Sequence, residues 1–274
     1  MPTGLMLVSA MACSGLPSQA LADLSSAPQT LAEDDFSAYL GLGLHHAPTG
    51  ELDSDLWRVD GFSEGATVFG SVVSGGDFGR GIATGGVSSG GLYAFDINGD
   101  VAVGVQSTGS DFTPGSLTRR VPYTGLEPLG SFGVDYELSV RNEGDRSSRW
   151  VLDWSLDNGA SWHLLEGGVH DTAEAADDDP HWQAVDFSLQ TDLAALELAW
   201  LPGTDLLLRW GADDLSGSGG RDEVALDDIR VYAPLSTPPA PVPLPPALML
   251  MSCALAAVVI KRPVSSRSRP HPAR

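Results

Sequence analysis

Cysteine is nearly missing from this chain. Of 274 residues only Cys13 and Cys253 are cysteines, and both lie in terminal apolar stretches. The body between them therefore has no disulfide and no thiol nucleophile, and a packed core must stabilise it. Basic residues are scarce too, 15 Lys and Arg against 36 Asp and Glu. Every acid falls between Asp23 and Asp228, whereas Lys261, Arg262, Arg267, Arg269 and Arg274 sit in the tail. Without the ends, 10 basic residues face 36 acidic ones, a formal net charge of −26. Such a surface repels nucleic-acid phosphates and anionic lipid, and suits calcium or a neutral polysaccharide. No stretch keeps a helical period. The six His are scattered, His45-His46 lacks metal-ligand spacing on a helix, and no nucleophile elbow exists. Gly75-Gly76 and the glycines from Gly79 to Gly86 lie among strand patterns, so a phosphate-cradling helix start finds no support.

What is present is period-two alternation. Val134, Tyr136, Leu138 and Val140 alternate with Asp135, Glu137, Ser139 and Arg141. Trp150, Leu152, Trp154 and Leu156 repeat the pattern, as do Val185, Phe187 and Leu189. Leu196, Leu198 and Trp200, then Leu206, Leu208 and Trp210, read the same way, although Leu193 to Trp200 could also be a short helix by composition. Asn98-Gly99, between Tyr93–Ile97 and Val101–Val105, predicts a hairpin, because a type I′ turn needs positive φ. Many short strands between Gly, Pro and Asp turns predict an all-β fold. The expected architecture is an antiparallel two-sheet sandwich of the jelly-roll kind, in one domain over 23–232.

The ends differ in kind from the body. Residues 1–22 read as a signal peptide, with a small-x-small site at Ala20-Leu21-Ala22 and no basic residue ahead of its apolar run. Residues 233–246 form a stiff Pro-rich linker ending in Val242-Pro243-Leu244-Pro245-Pro246. A 14-residue apolar run follows, Ala247 to Ile260, with only Ser252 strongly polar. As a helix it is about 21 Å long, short of a ~30 Å hydrocarbon core. Lys261 and Arg262 stop the span at 247–262, and residues 263–274 are expected to be a disordered basic cytoplasmic tail.

This order of Pro-rich motif, marginal span and basic stop resembles the tripartite C-terminal sorting signal of exosortase substrates, the PEP-CTERM class, in its VPLPA-type variant. The tail beyond Arg262 and the interruption at Cys253 depart from that class. The resemblance implies a transient inner-membrane tether, an exosortase-type membrane protease as partner, and release to the cell surface or extracellular matrix.

Four constellations carry candidate sites. Ser155-x-Asp157-x-Gly159-x-x-Trp162 matches the Asp-box pattern of sialidases and other β proteins. Turn chemistry explains each residue: Asp157 bonds turn amides, Gly159 permits the turn, and Trp162 packs the hairpin base. Next, period two through Ile229 and Val231 places Asp227 on the inward face, where a carboxylate needs donors or a cation. First and last strands of jelly rolls often adjoin, so Glu33 or Asp35 is expected to join Asp227 around a structural Ca²⁺. Third, Trp150, Trp154, Trp200 and Trp210 read as core, while Trp57 and Trp182 lie near loops and are candidates for stacking on sugar rings. Fourth, Asp171, Glu174, Asp177, Asp178 and Asp179 form an acidic run whose default is a solvated loop, with weak calcium attraction as the second reading.

Gly85 to Phe95, Gly104 to Ser116, and Trp210 through Arg221-Asp222-Glu223 to Asp227-Asp228-Ile229 resemble secreted bacterial jelly-roll modules of the concanavalin or carbohydrate-binding type. The resemblance implies the fold and leaves the role open. The expectation is a non-catalytic adhesion or glycan-binding module at the cell surface, contacting polysaccharide or matrix. The alternative is a secreted glycan hydrolase using a carboxylate pair.

Overall fold

The alternation from Phe132 to Val140 sets the architecture, because its inward side chains need a second sheet to bury against. The computed structural model describes residues 28–234. It contains β1 (Gln29–Asp34), β2 (Leu44–His45), β3 (Leu52–Asp53), β4 (Trp57–Asp60), β5 (Ile82–Ala83), β6 (Gly91–Ile97) and β7 (Asp100–Gln106). There follow β8 (Gly115–Pro122), β9 (Ser131–Arg141), β10 (Arg146–Ser155), β11 (His163–Asp171), β12 (Trp182–Asp192), β13 (Asp205–Gly217) and β14 (Glu223–Ala233). The signal-peptide region, the sorting motif from Val242 to Pro246, the apolar span and the basic tail lie outside the described residues. No helix among the described residues is long and apolar enough to cross a membrane.

One sheet runs β12-β9-β14-β7-β6-β5, with β1 also paired to β14; the other runs β11-β10-β13-β8-β4. From β7 to β14 the chain changes sheet at every step except the β10–β11 hairpin. The order β7-β14-β9-β12 over β8-β13-β10-β11 is the double Greek-key connectivity of a jelly roll. The sheets meet through aromatic side chains. Tyr136 sets its edge on Trp210 (5.6 Å) and Phe132 on Trp154 (5.7 Å), the geometry that ring quadrupoles favour. Trp150, Trp154, Trp200 and Trp210 are all buried, as their alternation predicts. Asn98 and Gly99 take φ of 60° and 96°, and the β6–β7 hairpin closes on them.

Two expectations need correction. The fold is mixed rather than wholly antiparallel: β5 joins β6 in parallel, and β2 joins β3 in parallel. The chain between β5 and β6 doubles back through Gly85 (φ 112°) and Gly86 (φ 76°), so it returns in the same direction instead of forming a hairpin. The strand expected at Leu196–Trp200 is not one. Ala194–Leu196 is a 3-10 turn, with Glu197 left-handed (φ 59°) and Leu196 and Leu198 exposed. The Asp192 carboxylate accepts the Ala195 N–H (3.2 Å) and Leu193 plugs the core, so local capping outcompetes pairing. Trp200 alone pairs, in an isolated bridge to Leu129.

Candidate functional site

The inward residues of the five-stranded sheet decide what it shows outside. Burying Trp150, Leu152 and Trp154 on β10 turns Arg149, Val151 and Asp153 outward. Burying Leu208 and Trp210 on β13 turns Arg209, Gly211 and Asp213 to the same side. These residues, with Asp60 from β4 and Ser116 from β8, line a groove of about 630 Å³. Gly211 keeps its floor low, and Val151 makes part of it apolar. Arg209 is held twice: Nη2 donates to Asp153 Oδ2 (2.7 Å), and its guanidinium lies 3.9 Å from the Trp162 ring centre. Arg149 is clamped to Asp171 by two bonds of 2.7 and 2.8 Å. Guanidinium donors, carboxylate acceptors and a flat ring thus stand together on a rigid sheet, a set suited to hydroxyl-rich neutral ligands.

Trp162 reaches that place through the Asp-box turn. Ser161 donates its amide (2.9 Å) and its hydroxyl (2.6 Å) to Asp157. Ser155 Oγ donates to Asp157 Oδ1 (2.7 Å) and accepts the Gly159 N–H (2.9 Å). These bonds, the Ser161 hydroxyl foremost, pull the Asp157 carboxyl down to about 2. Gly159 takes φ of 84°. Trp162 is only partly buried and covers Arg209 on the outer face. The Asp-box pattern implies only a packing role for Trp162; the outward parity of Arg209 and Asp153 is the signal that it borders the groove.

A second cleft, of about 820 Å³, opens beside β1 and β14. Glu33, Asp34, Asp35, Glu51, Asp53, Asp135 and Asp228 line it, with Arg230 as its one basic side chain. The first and last strands do adjoin: β1 pairs β14 antiparallel, Glu33 opposite Arg230. The predicted calcium set is not assembled. Asp35 spends Oδ1 on the Ser37 N–H (3.1 Å) and hydroxyl (2.9 Å), which hold it below the usual carboxylate range. Glu33 lies 3.9 Å from Arg230. Asp227 is absent from the cleft lining and faces outward, not inward. A bulge interrupts pairing between Asp227 and Arg230, and Asp228 turns left-handed (φ 48°). The extra residue reverses the parity, so Leu226 and Ile229 both enter the core while Asp227 sits, still buried, on the other face of the sheet opposite Glu137. Among the described residues no three His, Cys, Asp or Glu side chains gather as a metal set.

Of the two sugar-stacking candidates, Trp57 is corrected and Trp182 stays partly exposed. Trp57 is 1 % exposed, stacked on Trp210 (6.1 Å) with Nε1 toward Asp34 (3.5 Å), because strand alternation turns it inward. Trp182 packs on Phe95 (4.9 Å) and donates Nε1 to Thr84 O (2.9 Å). The strap that receives it is held in turn by Glu223, which accepts the Gly86 and Val87 amides (2.9 and 2.6 Å). Burial pushes the Glu223 carboxyl up to about 6.

No family model matches the chain, and no curated protein matches it. Solved structures overlap it weakly. A cleaved adhesin domain of Lys-gingipain from Porphyromonas gingivalis has 12% identity, covers 75% of this chain and 99% of that one, and gives a TM-score of 0.37. A xylan-binding domain from Paenibacillus barcinonensis has 9% identity, with 77% and 99% coverage and a TM-score of 0.36. A mannan-recognising carbohydrate-binding module has 14% identity, with 54% and 84% coverage and a TM-score of 0.35. Overlaps this shallow carry no argument, and the fold rests on the strand order.

Proposed function

We propose that the chain is an exported, exosortase-processed surface or matrix protein whose sandwich binds a neutral glycan without cleaving it. The groove on the outer face of the five-stranded sheet is the binding site. The observation that carries this is the Asp153–Arg209–Trp162 stack, with Arg149 and Asp213 on the same face. Sugar hydroxyls both donate and accept, so alternating guanidinium and carboxylate groups match them, and a ring offers a flat apolar face. The acid-rich body supports a neutral rather than anionic polymer. The export half of the proposal is supported by the signal-peptide pattern and by Val242–Pro246 with its span and basic stop.

Affinity electrophoresis on neutral polysaccharides tests the site. Trp162→Ala and Arg209→Ala are each expected to weaken retention about tenfold, the scale of one lost stacking or charged contact, while the melting temperature stays near wild type. Retention unchanged in both variants removes the groove from consideration. Release of sugar products from the same polymers overturns the non-catalytic reading. Mass spectrometry of the mature termini in fractionated cells tests export and cleavage near the VPLPP motif.

A further inference from the structure

The acidic run from Asp171 to Asp179 keeps Asp171, Glu174, Asp178 and Asp179 exposed, as a solvated loop does, but its backbone is tied down. It closes over one end of the sandwich, where the β9–β10 turn meets the start of β14. Asp177 N–H donates to Asn142 O (3.0 Å), and Asn142 Nδ2 donates to Ala175 O (2.9 Å). Ala176 N–H reaches Asp145 Oδ1 (3.2 Å), and Arg141 Nη1 reaches Pro180 O (2.9 Å). Beneath this loop sits Asp222, 3 % exposed, whose Oδ1 accepts the Glu143 and Gly144 amides (3.1 and 3.0 Å).

Two acceptors in this knot are left over. Asp222 Oδ2 has no hydrogen-bond partner, and neither has Asn142 Oδ1, on a side chain 9 % exposed. The Thr172 hydroxyl accepts the Ser148 N–H (3.0 Å) and stands beside Asp222 as a weak donor. Each unmet buried acceptor is destabilising, more so when charged. The two bare oxygens thus belong to the β9–β10 turn and to the residue just ahead of β14, and Asp177 is tied to Asn142 through its own amide. A cavity of about 290 Å³, lined in part by Asn142, Thr172 and Asp177, adjoins the knot and offers a way in.

We propose that Asn142 Oδ1, Asp222 Oδ2 and the Asp177 carboxylate bind a divalent cation of the calcium kind. All three donors are hard oxygens, which select Ca²⁺ over soft or imidazole-preferring metals, and water completes its shell. Asp177 Oδ2 accepts the Gln183 side-chain amide (3.1 Å), so Asp177 meets the cation through its other oxygen. The site is separate from the glycan groove and does not depend on it.

The test is thermal unfolding of the full chain in about 1 mM CaCl₂ against EDTA, with calorimetric titration of Ca²⁺. Calcium is expected to raise the melting temperature by about 5 °C, and Mg²⁺ much less. Asp222→Asn keeps the acceptor for the Glu143 and Gly144 amides, melts in EDTA at least as high as wild type, and loses the calcium shift. Asn142→Asp adds a third carboxylate and tightens calcium about tenfold. Asp227→Asn keeps the shift. No shift in the wild-type chain overturns the proposal. So does a shift that survives Asp222→Asn, or one that disappears in Asp227→Asn.

Discussion

Replacing Asp227 with Asn is expected to stabilise this protein at neutral and alkaline pH. Asp227 is 7 % exposed, at the bulge where β14 leaves β7 and takes up β1. Burial first, then the charges of Asp100, Asp228 and Glu137, push its carboxyl from 3.8 up to about 7, although the Asp228 N–H (2.8 Å) favours the charged form. The folded protein thus holds a proton that the unfolded chain releases. The stability this contributes is complete below about pH 3.8, falls as pH rises toward 7, and is gone above that. Three pKa units correspond to about 4 kcal/mol as a ceiling. Partial hydration at the bulge reduces that to about 2 kcal/mol. Asn keeps the acceptor for the Asp228 N–H and carries no charge. In urea melts with EDTA, Asp227→Asn should therefore exceed wild type by about 2 kcal/mol near pH 8, or about 4–8 °C in melting temperature. The gap should close near pH 4. A variant less stable than wild type at pH 8, or a gap that does not vary with pH, refutes the reasoning.

Asp34→Ala should cost about 3–5 kcal/mol in a urea melt, because it strands the guanidinium of Arg119, which is 4 % exposed and bonded to Asp34 at 2.7 Å. Gly104→Val should cost about 3 kcal/mol by the same measurement: a Cβ there would lie 2.5 Å from the Phe95 ring and 2.8 Å from Val224 O. Glu223→Gln should loosen the strap over Trp182 and Phe95, since Gln supplies one acceptor oxygen where the carboxylate takes two amides (2.9 and 2.6 Å). Faster hydrogen exchange at Gly86 and Val87, with little change at β9, is the expected result.

The fold was legible where one period held from end to end. Val134 to Val140 and Trp150 to Trp154 each have one buried side, and pleating alone sorts their residues. Asn98-Gly99 declared its turn because few residues tolerate positive φ. The site was legible only in outline. Asp227 was misplaced because one extra residue at a bulge inverts every side chain beyond it, and Asp228 does not advertise that choice in sequence. Trp57 was misread because nearness to a loop says little about which way a strand residue points.

By itself the sequence determined the class of object: an acidic, strand-built body without cysteine, with a buried tryptophan set and the turn chemistry of its hairpins. Those properties are local, or sum over the chain, so no knowledge of contacts is needed. Only the tertiary structure decided which strands adjoin, which carboxylates meet a base, and which acceptors are left bare. Asp153 meets Arg209 across 56 positions, and Glu143 meets Asp222 across 79. Pairing at that distance is settled by the packing of whole sheets, and no short stretch of chain carries it.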